Sequence, residues 1–299
     1  MTQIPMPADQ GLGAASPPNL RKAPFEGRAL KSTILSGLTW LFALIASIPL
    51  FSVLYMLITQ GGIRLGWETL TALPPSAFEM GGGFGNAIVG TLTMVGIATL
   101  ISVPIGIMAA VYLGELAPQS KLAITARFLA KVLTGFPSIL AGVFAYAAVV
   151  LLMGTYSAIA GGIALSVLML PTVVLTAEEG MKMVPEKMKN AAYGMGCTRG
   201  QVIWKVVLPT GLPAILTGVM LAIAGAAGES APLLFTALFS NYYMQSLGEP
   251  TASLSILIYN FSGMPFENQI QLAWAASLVL VMMVLVINIL SRLVGRPKI

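Results

Sequence analysis

An isolated carboxylate in an apolar stretch of the chain is the first candidate for chemistry. Glu229 follows five small residues at 224–228 and precedes Pro232, which cannot donate a helical hydrogen bond. A carboxylate at bilayer depth is costly and is by default a functional candidate. Because a bare carboxylate repels anions, its contact with an anionic substrate requires a proton or a compensating cation. Two roles therefore stay open for Glu229, a proton relay or a group that orients a basic partner.

The rest of the chain offers few reactive groups. It has no His and one Cys, Cys197, which excludes His-based metal sites, His-based catalytic triads and disulfides. The glycine-rich run 81–85 is not followed by the Gly-Lys-Ser/Thr of a phosphate loop, so we interpret it as a flexible loop with Asn86 capping the next helix. We expect no metal, no cofactor and no enzymatic activity, because no nucleophile–base pair is present.

Composition indicates the elements that must position Glu229. The chain has 299 residues, of which 57% are hydrophobic and 9% charged, whereas a soluble domain carries roughly a quarter charged residues. Several uncharged stretches exceed the ~18 residues that a spanning helix needs. We predict an all-α integral membrane protein, with a disordered tail over 1–30 and one domain over 31–299. Its six predicted spans are 33–59, 87–113, 133–153, 157–177, 212–236 and 269–294, the third and fourth being joined by a short link at 154–157.

The basic residues are segregated along the chain. Fifteen of the 16 Lys and Arg precede the first span, follow the last, or lie between spans two and three and between four and five. Arg64 alone falls on the other side. The positive-inside rule then places both termini in the cytoplasm and the long loop at 237–268 outside. Positive charge beside spans sets orientation, so we expect membrane lipid and no nucleic acid as a partner.

The segment 181–209, between spans four and five, is amphipathic. Apolar residues from Met181 recur every three or four positions among lysines, which predicts a helix with Pro185 in its first turn. Gly194 and Gly196 end that helix and allow a sharp turn. Thr198 and Gln201 fit a capping box for a second helix, which Pro209 is predicted to stop. The expected shape is helix, glycine elbow, helix, which suits insertion into a groove on a partner protein.

The residues of this elbow resemble a motif of permeases of ATP-binding-cassette importers. That motif reads Glu-Ala-Ala, three residues, Gly, nine residues, Ile, one residue, Leu-Pro. The chain matches its spacing throughout, with Asn for Glu and Val for Ile. The resemblance implies a type I importer permease fold in which a cytoplasmic coupling helix docks onto an ATPase subunit. The coupling residues are then Asn190, Ala191, Ala192, Gly196, Val206, Leu208 and Pro209.

Two further stretches, 135–144 (GFPSILAGVF) and 228–237 (GESAPLLFTA), resemble the phosphate-import permeases, specifically their A-type (PstA) family. The resemblance covers most of residues 80–295. It implies a translocation path between two permease subunits. In this chain the path residues are then Pro137, Ser138, Gly225, Gly228, Glu229 and Ser230.

The chain also departs from that family at two positions. The resemblance leads us to expect Arg at the position of Gly225 and a basic residue at that of Leu175, and neither is present. Positive charge for phosphate would then come from the partner permease, or from helix N-termini and hydroxyls such as Ser230 and Thr236. Alternatively, the substrate is another oxyanion.

The resemblance implies a permease subunit of an ATP-driven importer of inorganic phosphate. Its implied partners are a second homologous permease, two ATPase subunits that hydrolyse ATP, and an external phosphate-binding protein. An alternative is a stand-alone secondary transporter that uses Glu229 as a proton relay. That alternative leaves the elbow unexplained and lacks any other buried ionisable group to pass a proton on.

Overall fold

A computed structural model describes residues 27–294, and within this range the regular structure is entirely helical. The chain divides into two compact units, Met1–Leu54 and Tyr55–Ile299. Helix α1 (Gly27–Met56) covers the described part of the first unit and runs on through a π-helical turn at Leu57–Gly61. It confirms the first predicted span. The predicted tail lies outside the described residues, except that α1 begins within its last positions.

Ten helices of the second unit follow among the described residues. In chain order they are α2 (Trp67–Thr71), α3 (Gly85–Leu116), α4 (Lys121–Thr134), α5 (Ser138–Met153), α6 (Ala158–Lys182), α7 (Glu186–Gly194), α8 (Arg199–Gly228), α9 (Ala231–Leu234), α10 (Leu254–Ser262) and α11 (Glu267–Val294).

Five of the described helices are long and apolar enough to cross a membrane: α1, α3, α6, α8 and α11. Helices α4 and α5 pass the same criterion together but meet at an angle of 107°, and they make a sixth span when the bent pair is counted as one. The predicted third span, 133–153, runs across this break at residues 135–137 and is not one straight helix. Pro137 occupies the N-cap position of α5 with ψ 124°, and a proline there cannot continue the hydrogen bonding of α4.

Helix α8 also differs from prediction, because Pro209 does not stop it. A π-helical turn at Ile203–Val207 precedes the proline, and the N–H of Leu208 donates to the Ile203 carbonyl, five residues back. Pro209 then falls at the start of the following α-helical stretch, where its missing N–H is tolerated. The second helix of the elbow and the fifth span are consequently one continuous helix. Its end at Gly228 comes earlier than the predicted end of that span at 236.

The core of the second unit lies where α3 and α8 pack against α6. Glycines allow this close packing: a Cβ built on Gly106 of α3 would lie 2.6 Å from Val173 of α6, and one on Gly218 of α8 would collide with Thr176. By contrast, no atom of the described chain lies within 4 Å of a Cβ built on Gly225 or Gly228. Within 224–228, Ala226 and Ala227 are therefore buried in the core, whereas Gly225 and Gly228 face open space.

Side-chain contacts show which loops share an end of the helix bundle. Residues 114–131 and 178–205 meet at one end, which we call the basic end, through the Arg127–Glu178 and Lys189–Glu115 ion pairs. Residues 62–84, 154–157 and 237–268 meet at the opposite end. There Asn86 donates to the Ser240 carbonyl, 2.7 Å away. Asn86 does not cap α3 as predicted, because Phe84 holds the N-cap position without a side-chain bond.

Candidate functional site

A cavity of about 360 Å³ lies between the α4–α5 bend, α6 and the end of α8. Its α6 residues, Leu168, Met169 and Thr172, lie midway along that helix, so the cavity sits at mid-depth of the bundle. Secondary transporters place their binding sites near the bilayer midplane, and this cavity lies at a comparable depth of the bundle. The remaining lining residues are Leu133, Thr134, Phe136, Ser138, Leu221, Ala222, Gly225, Ala226 and Glu229.

The structure brings together the two stretches that resemble the phosphate permeases. A Cβ built on Gly142 of α5 would lie 2.6 Å from the Cα of Pro232 in α9, so the two backbones are in direct contact. Ser138, Gly225 and Glu229 line the cavity. Pro137, Gly228 and Ser230 are their chain neighbours and are not among its lining residues. Half of the predicted path residues therefore surround one space, and the other half shape the backbone beside it.

Glu229 occupies the break between α8 and α9. The break arises because Pro232 has no N–H for the Gly228 carbonyl, and Glu229 takes an extended backbone with φ −74° and ψ 124°. Its own carbonyl accepts a hydrogen bond from the Ser255 hydroxyl at 2.9 Å, which ties the break to α10. Among the described residues no donor contacts the Glu229 carboxylate, which is partly exposed. The carboxylate is thus held in the cavity wall with its hydrogen-bonding capacity free.

No Lys or Arg is among the residues that line the cavity. Thr236, proposed from the sequence as a hydroxyl for the anion, is fully buried and donates to the Pro232 carbonyl at 2.8 Å. The hydroxyl proton of Thr236 is therefore used in a bond within the chain, and the expectation that Thr236 contacts the anion is wrong. Thr134 likewise donates to the Lys131 carbonyl. Ser138 and Thr172 are the lining residues that keep a hydroxyl for the cavity.

The coupling segment has the predicted elbow, with a shifted start. Met181 belongs to the end of α6, and the first helix of the elbow, α7, begins only after Pro185. Gly196 has φ +84°, a left-handed conformation that favours glycine, and it makes the sharp turn. The capping box at Thr198 and Gln201 is present in both directions. The helix–elbow–helix prediction is confirmed in shape, although α7 is shorter than expected.

The motif residues lie in two parts of the elbow: its tip at 190–196, which we call the crest, and its base at 206–209. Asn190, Ala191 and Gly196 are exposed, and a Cβ on Gly196 would meet no atom within 4 Å. Ala192 is 2% exposed and packs inward. At the base, Val206 and Leu208 are half-buried and Pro209 is exposed. Large apolar side chains share the exposed surface: Met183 at 75%, Met195 at 78% and Trp204 at 64%. The crest is thus a protruding apolar surface without a partner in the described chain.

Two ion pairs that sequence reasoning missed fasten this end of the bundle. Lys189 of α7 pairs with Glu115 of α3 at 2.7 Å. Burial alone lowers the pKa of Lys189, but the Glu115 hydrogen bond and charge outweigh it and raise the pKa above its ordinary value. Arg199, the first residue of α8, donates to the Leu116 carbonyl at 2.7 Å. The elbow is therefore attached to α3, from which it is separated by some 70 residues of chain.

The second missed pair joins α4 to α6. Arg127 donates to Glu178, which is 2% exposed, with an ion-pair distance of 2.8 Å, and Lys182 also contacts that carboxylate. The i, i+4 spacing of Glu178 and Lys182 is a visible sequence signal. The pairing of Arg127 with Glu178 has no such sequence signal, because no local pattern relates residues 51 positions apart.

Comparison with known proteins identifies the chain's family. Residues 102–296 match the family model described as binding-protein-dependent transport system inner membrane component. The chain is 38% identical to the phosphate transport system permease protein PstA of Haemophilus influenzae, over 94% of this chain and 98% of that protein. It is also 38% identical to PstA of Yersinia pestis, over 89% and 88%. A probable PstA of Methanocaldococcus jannaschii is 37% identical over 89% and 94%.

Solved structures support the fold. A chain of a bacterial alginate ABC transporter, in complex with an alginate-bound periplasmic protein, superposes with a TM-score of 0.64 at 16% identity. The match covers 90% of this chain and 96% of that one. A chain of the inward-facing MetNI methionine ABC transporter gives 0.58 at 19% identity, over 71% and 94%. The predicted importer-permease fold is confirmed, and the chain belongs to the inner membrane component family of binding-protein-dependent transport systems, in its PstA branch.

Proposed function

We propose that this chain is one of two permease subunits of an ATP-driven importer of inorganic phosphate. The observation that carries the proposal is the continuity of α8. This single helix of 30 residues, roughly 45 Å long, starts in the elbow at Arg199 and ends beside Glu229 at the cavity. A displacement of the elbow by an ATPase subunit is thereby delivered to the cavity wall without an intervening joint. The phosphate permeases named above support the choice of substrate.

The chain supplies half of the path. The cavity is lined on one side by the α4–α5 bend, α6 and α8, and Gly225 and Gly228 leave open space on the surface of α8. Small residues at this position let a second helix approach closely. A homologous permease subunit in that space would close the cavity and complete the path for the ion.

Positive charge for phosphate comes from that second subunit in this proposal. Glu229 is the one ionisable residue among those lining the cavity, and a bare carboxylate repels the anion. Its role is to orient a basic side chain of the partner permease, which in turn contacts phosphate. A proton relay by Glu229 alone finds no second ionisable group in the cavity wall to pass the proton on.

The elbow docks each permease onto one of two ATPase subunits through Asn190, Ala191 and Gly196 at its crest. Val206, Leu208 and Pro209 shape the base from which it projects. The basic end of the bundle then faces the cytoplasm, as its Lys and Arg residues favour, and both termini lie inside. The opposite end faces outward, where an external phosphate-binding protein delivers the ion.

Reconstitution tests this function. The chain, its partner permease and the ATPase subunits are placed in proteoliposomes with the binding protein outside, and radioactive phosphate uptake is measured with and without ATP inside. We expect uptake that requires ATP and both permeases. Uptake by the chain alone that ignores ATP would instead support the secondary transporter.

A further inference from the structure

The outward end of the bundle carries uncompensated negative charge. Among the described residues at that end, Glu68, Glu79, Glu249 and Glu267 are all exposed, and Arg64 is the one basic residue. The Arg64 guanidinium is turned inward: it donates to the Gly81 carbonyl and to Asn268. Three of the carboxylates accept hydrogen bonds, but from neutral donors, which leave their charge in place.

Two large apolar side chains flank Glu79 at this acidic end. Phe78 is 91% exposed and Met80 is 88% exposed, on the loop between α2 and α3. The Phe78 ring packs edge-to-face on Phe266, with 5.0 Å between ring centroids. We call Phe78, Met80 and Phe266 the outer knob. Exposed apolar groups of this size, grouped together, mark interaction sites rather than ordinary surface.

The loop that bears the outer knob is held firmly. The N–H of Gly83 donates to the Leu73 carbonyl at 2.9 Å, which closes the loop at its base. The Asn268 side-chain amide donates to the carbonyls of Glu79 at 2.9 Å and of Gly81 at 3.1 Å. A preorganised apolar surface loses little conformational freedom on binding, which favours affinity.

The charge around the outer knob decides between lipid and protein as its occupant. Glu79 and Glu267 adjoin Phe78 and Phe266 in sequence, and inserting the knob among lipid headgroups would desolvate these carboxylates with no cation beside them. An apolar centre within a charged rim is instead the anatomy of a protein interface. The complementary partner has an apolar depression rimmed by Lys and Arg.

We propose that the outer knob and its rim of carboxylates form the docking surface for the external binding protein, which presents an apolar depression with a basic rim. This proposal rests on the proposed function, since it requires the opposite end of the bundle to face outward. The same negative field repels free phosphate from the entrance. Delivery by a carrier that screens the ion's charge therefore has an electrostatic advantage over capture from solution.

Binding measurements on the assembled transporter in nanodiscs test the proposal. The probe is the phosphate-loaded binding protein of the same system, titrated at low and high salt. Phe78→Ala should weaken its affinity about tenfold, as loss of an interface anchor does. The double change Glu79→Gln with Glu267→Gln should lower the association rate at low salt and flatten its salt dependence. Leu152→Ala, which removes another side chain that is 84% exposed, is the matched control and should change nothing.

A label on the outer knob separates protein from lipid. In a Cys197→Ser background, Phe78→Cys carries an environment-sensitive fluorophore. We expect emission typical of water in empty nanodiscs and a blue shift when the binding protein is added. Blue-shifted emission without the binding protein, or unchanged affinity of the Phe78→Ala variant, would overturn the proposal. Absence of ATP-driven uptake by the unmodified transporter would instead contradict the proposed function, so the two failures are distinguishable.

Discussion

Lys189 of the elbow forms an ion pair with Glu115 at the end of α3, and both side chains are about nine-tenths buried, with 10% and 11% exposed. The pair joins α7 to a helix that is remote from it in sequence. A buried ion pair is costly to break from one side, because the remaining charge stays desolvated. The elbow is therefore fastened to α3 as well as continuous with α8, and its motion acts on both.

Breaking this pair should uncouple ATP hydrolysis from transport. We expect Lys189→Gln to leave ATPase association intact and to lower the phosphate moved per ATP by about fivefold or more, the scale of a typical coupling energy. The measurement is parallel uptake and ATP hydrolysis in proteoliposomes. Exchanging the charges, Lys189→Glu with Glu115→Lys, should restore part of the ratio. Lys187→Gln removes an exposed charge from the same helix and serves as control; an equal loss there would refute the role of the pair.

The pH dependence of this attachment follows from the raised pKa of Lys189. A lysine whose pKa is raised on folding contributes its full stability below its unfolded value, which is ordinarily 10.5, and loses it only as pH rises through the folded value. Coupling should therefore not weaken between about pH 7 and 9 on account of Lys189. Lys189→His, with an ordinary pKa of about 6.5, should instead make the ratio fall as pH rises from about 5.5 to 7.5. A flat profile for that variant would show that charge at this position is immaterial.

A charge on the crest of the elbow should prevent docking. Gly196→Asp places a carboxylate on a surface that no other part of the described chain covers, at φ +84°, where a side chain is also strained. We expect loss of ATPase co-purification with normal membrane insertion. Gly66→Asp introduces the same residue in open space at the other end of the bundle and should leave co-purification unchanged. Retention of the ATPase by the Gly196 variant would count against the docking surface.

An added cation in the cavity should favour phosphate. A Cβ on Gly225 meets no atom within 4 Å, and Gly225 and Glu229 both line the cavity, so a guanidinium can enter beside the carboxylate. We expect Gly225→Arg to raise phosphate uptake, measured at subsaturating phosphate, and Gly225→Gln not to. Reduced uptake by the Arg variant would mean that the second permease subunit needs glycine at this contact.

The Arg127–Glu178 pair should matter more for stability than the Lys182–Glu178 pair. Arg127 is 22% exposed and Lys182 is 52% exposed, whereas Glu178 is 2% exposed. Arg127→Ala leaves the buried carboxylate with one partly solvated partner, and we expect a loss of about 2 kcal/mol or more. Lys182→Ala should cost under about 1 kcal/mol. Thermal unfolding in detergent compares the two, and equal losses would contradict this assignment.

Local patterns predicted much of the fold. The spans follow from runs of apolar residues, because only a helix satisfies its own backbone in lipid. The elbow could be predicted because its signals are local: Gly196 and the Thr198–Gln201 capping box lie within a few residues of each other. Glu229 was located by its charge in an apolar run, and Ser138 and Gly225 by the family resemblance; the structure brings all three to one cavity.

Proline effects and long-range contacts escaped prediction. Pro209 was expected to end a helix, but the π-helical turn before it lets the helix continue without a hydrogen bond from Pro209. That turn has no sequence signature. The packing of α4 against α6, where Arg127 pairs with Glu178, has no local signal either. Pairs such as Lys189–Glu115 and the contact of Gly142 with Pro232 join residues far apart in the chain, and one sequence does not report such distances.

The face that α8 turns toward α6 is closed along its length and has no single pivot. Gly211 lies against Gly180 and Gly218 against Thr176, and the buried face continues toward the cavity through Val219, Ala222, Ile223, Ala226 and Ala227. Because such a close-packed seam has no room for one helix to rock on the other, a push on the elbow would shift α6 and α8 together. The wall that holds Glu229 would then move as a block of two helices.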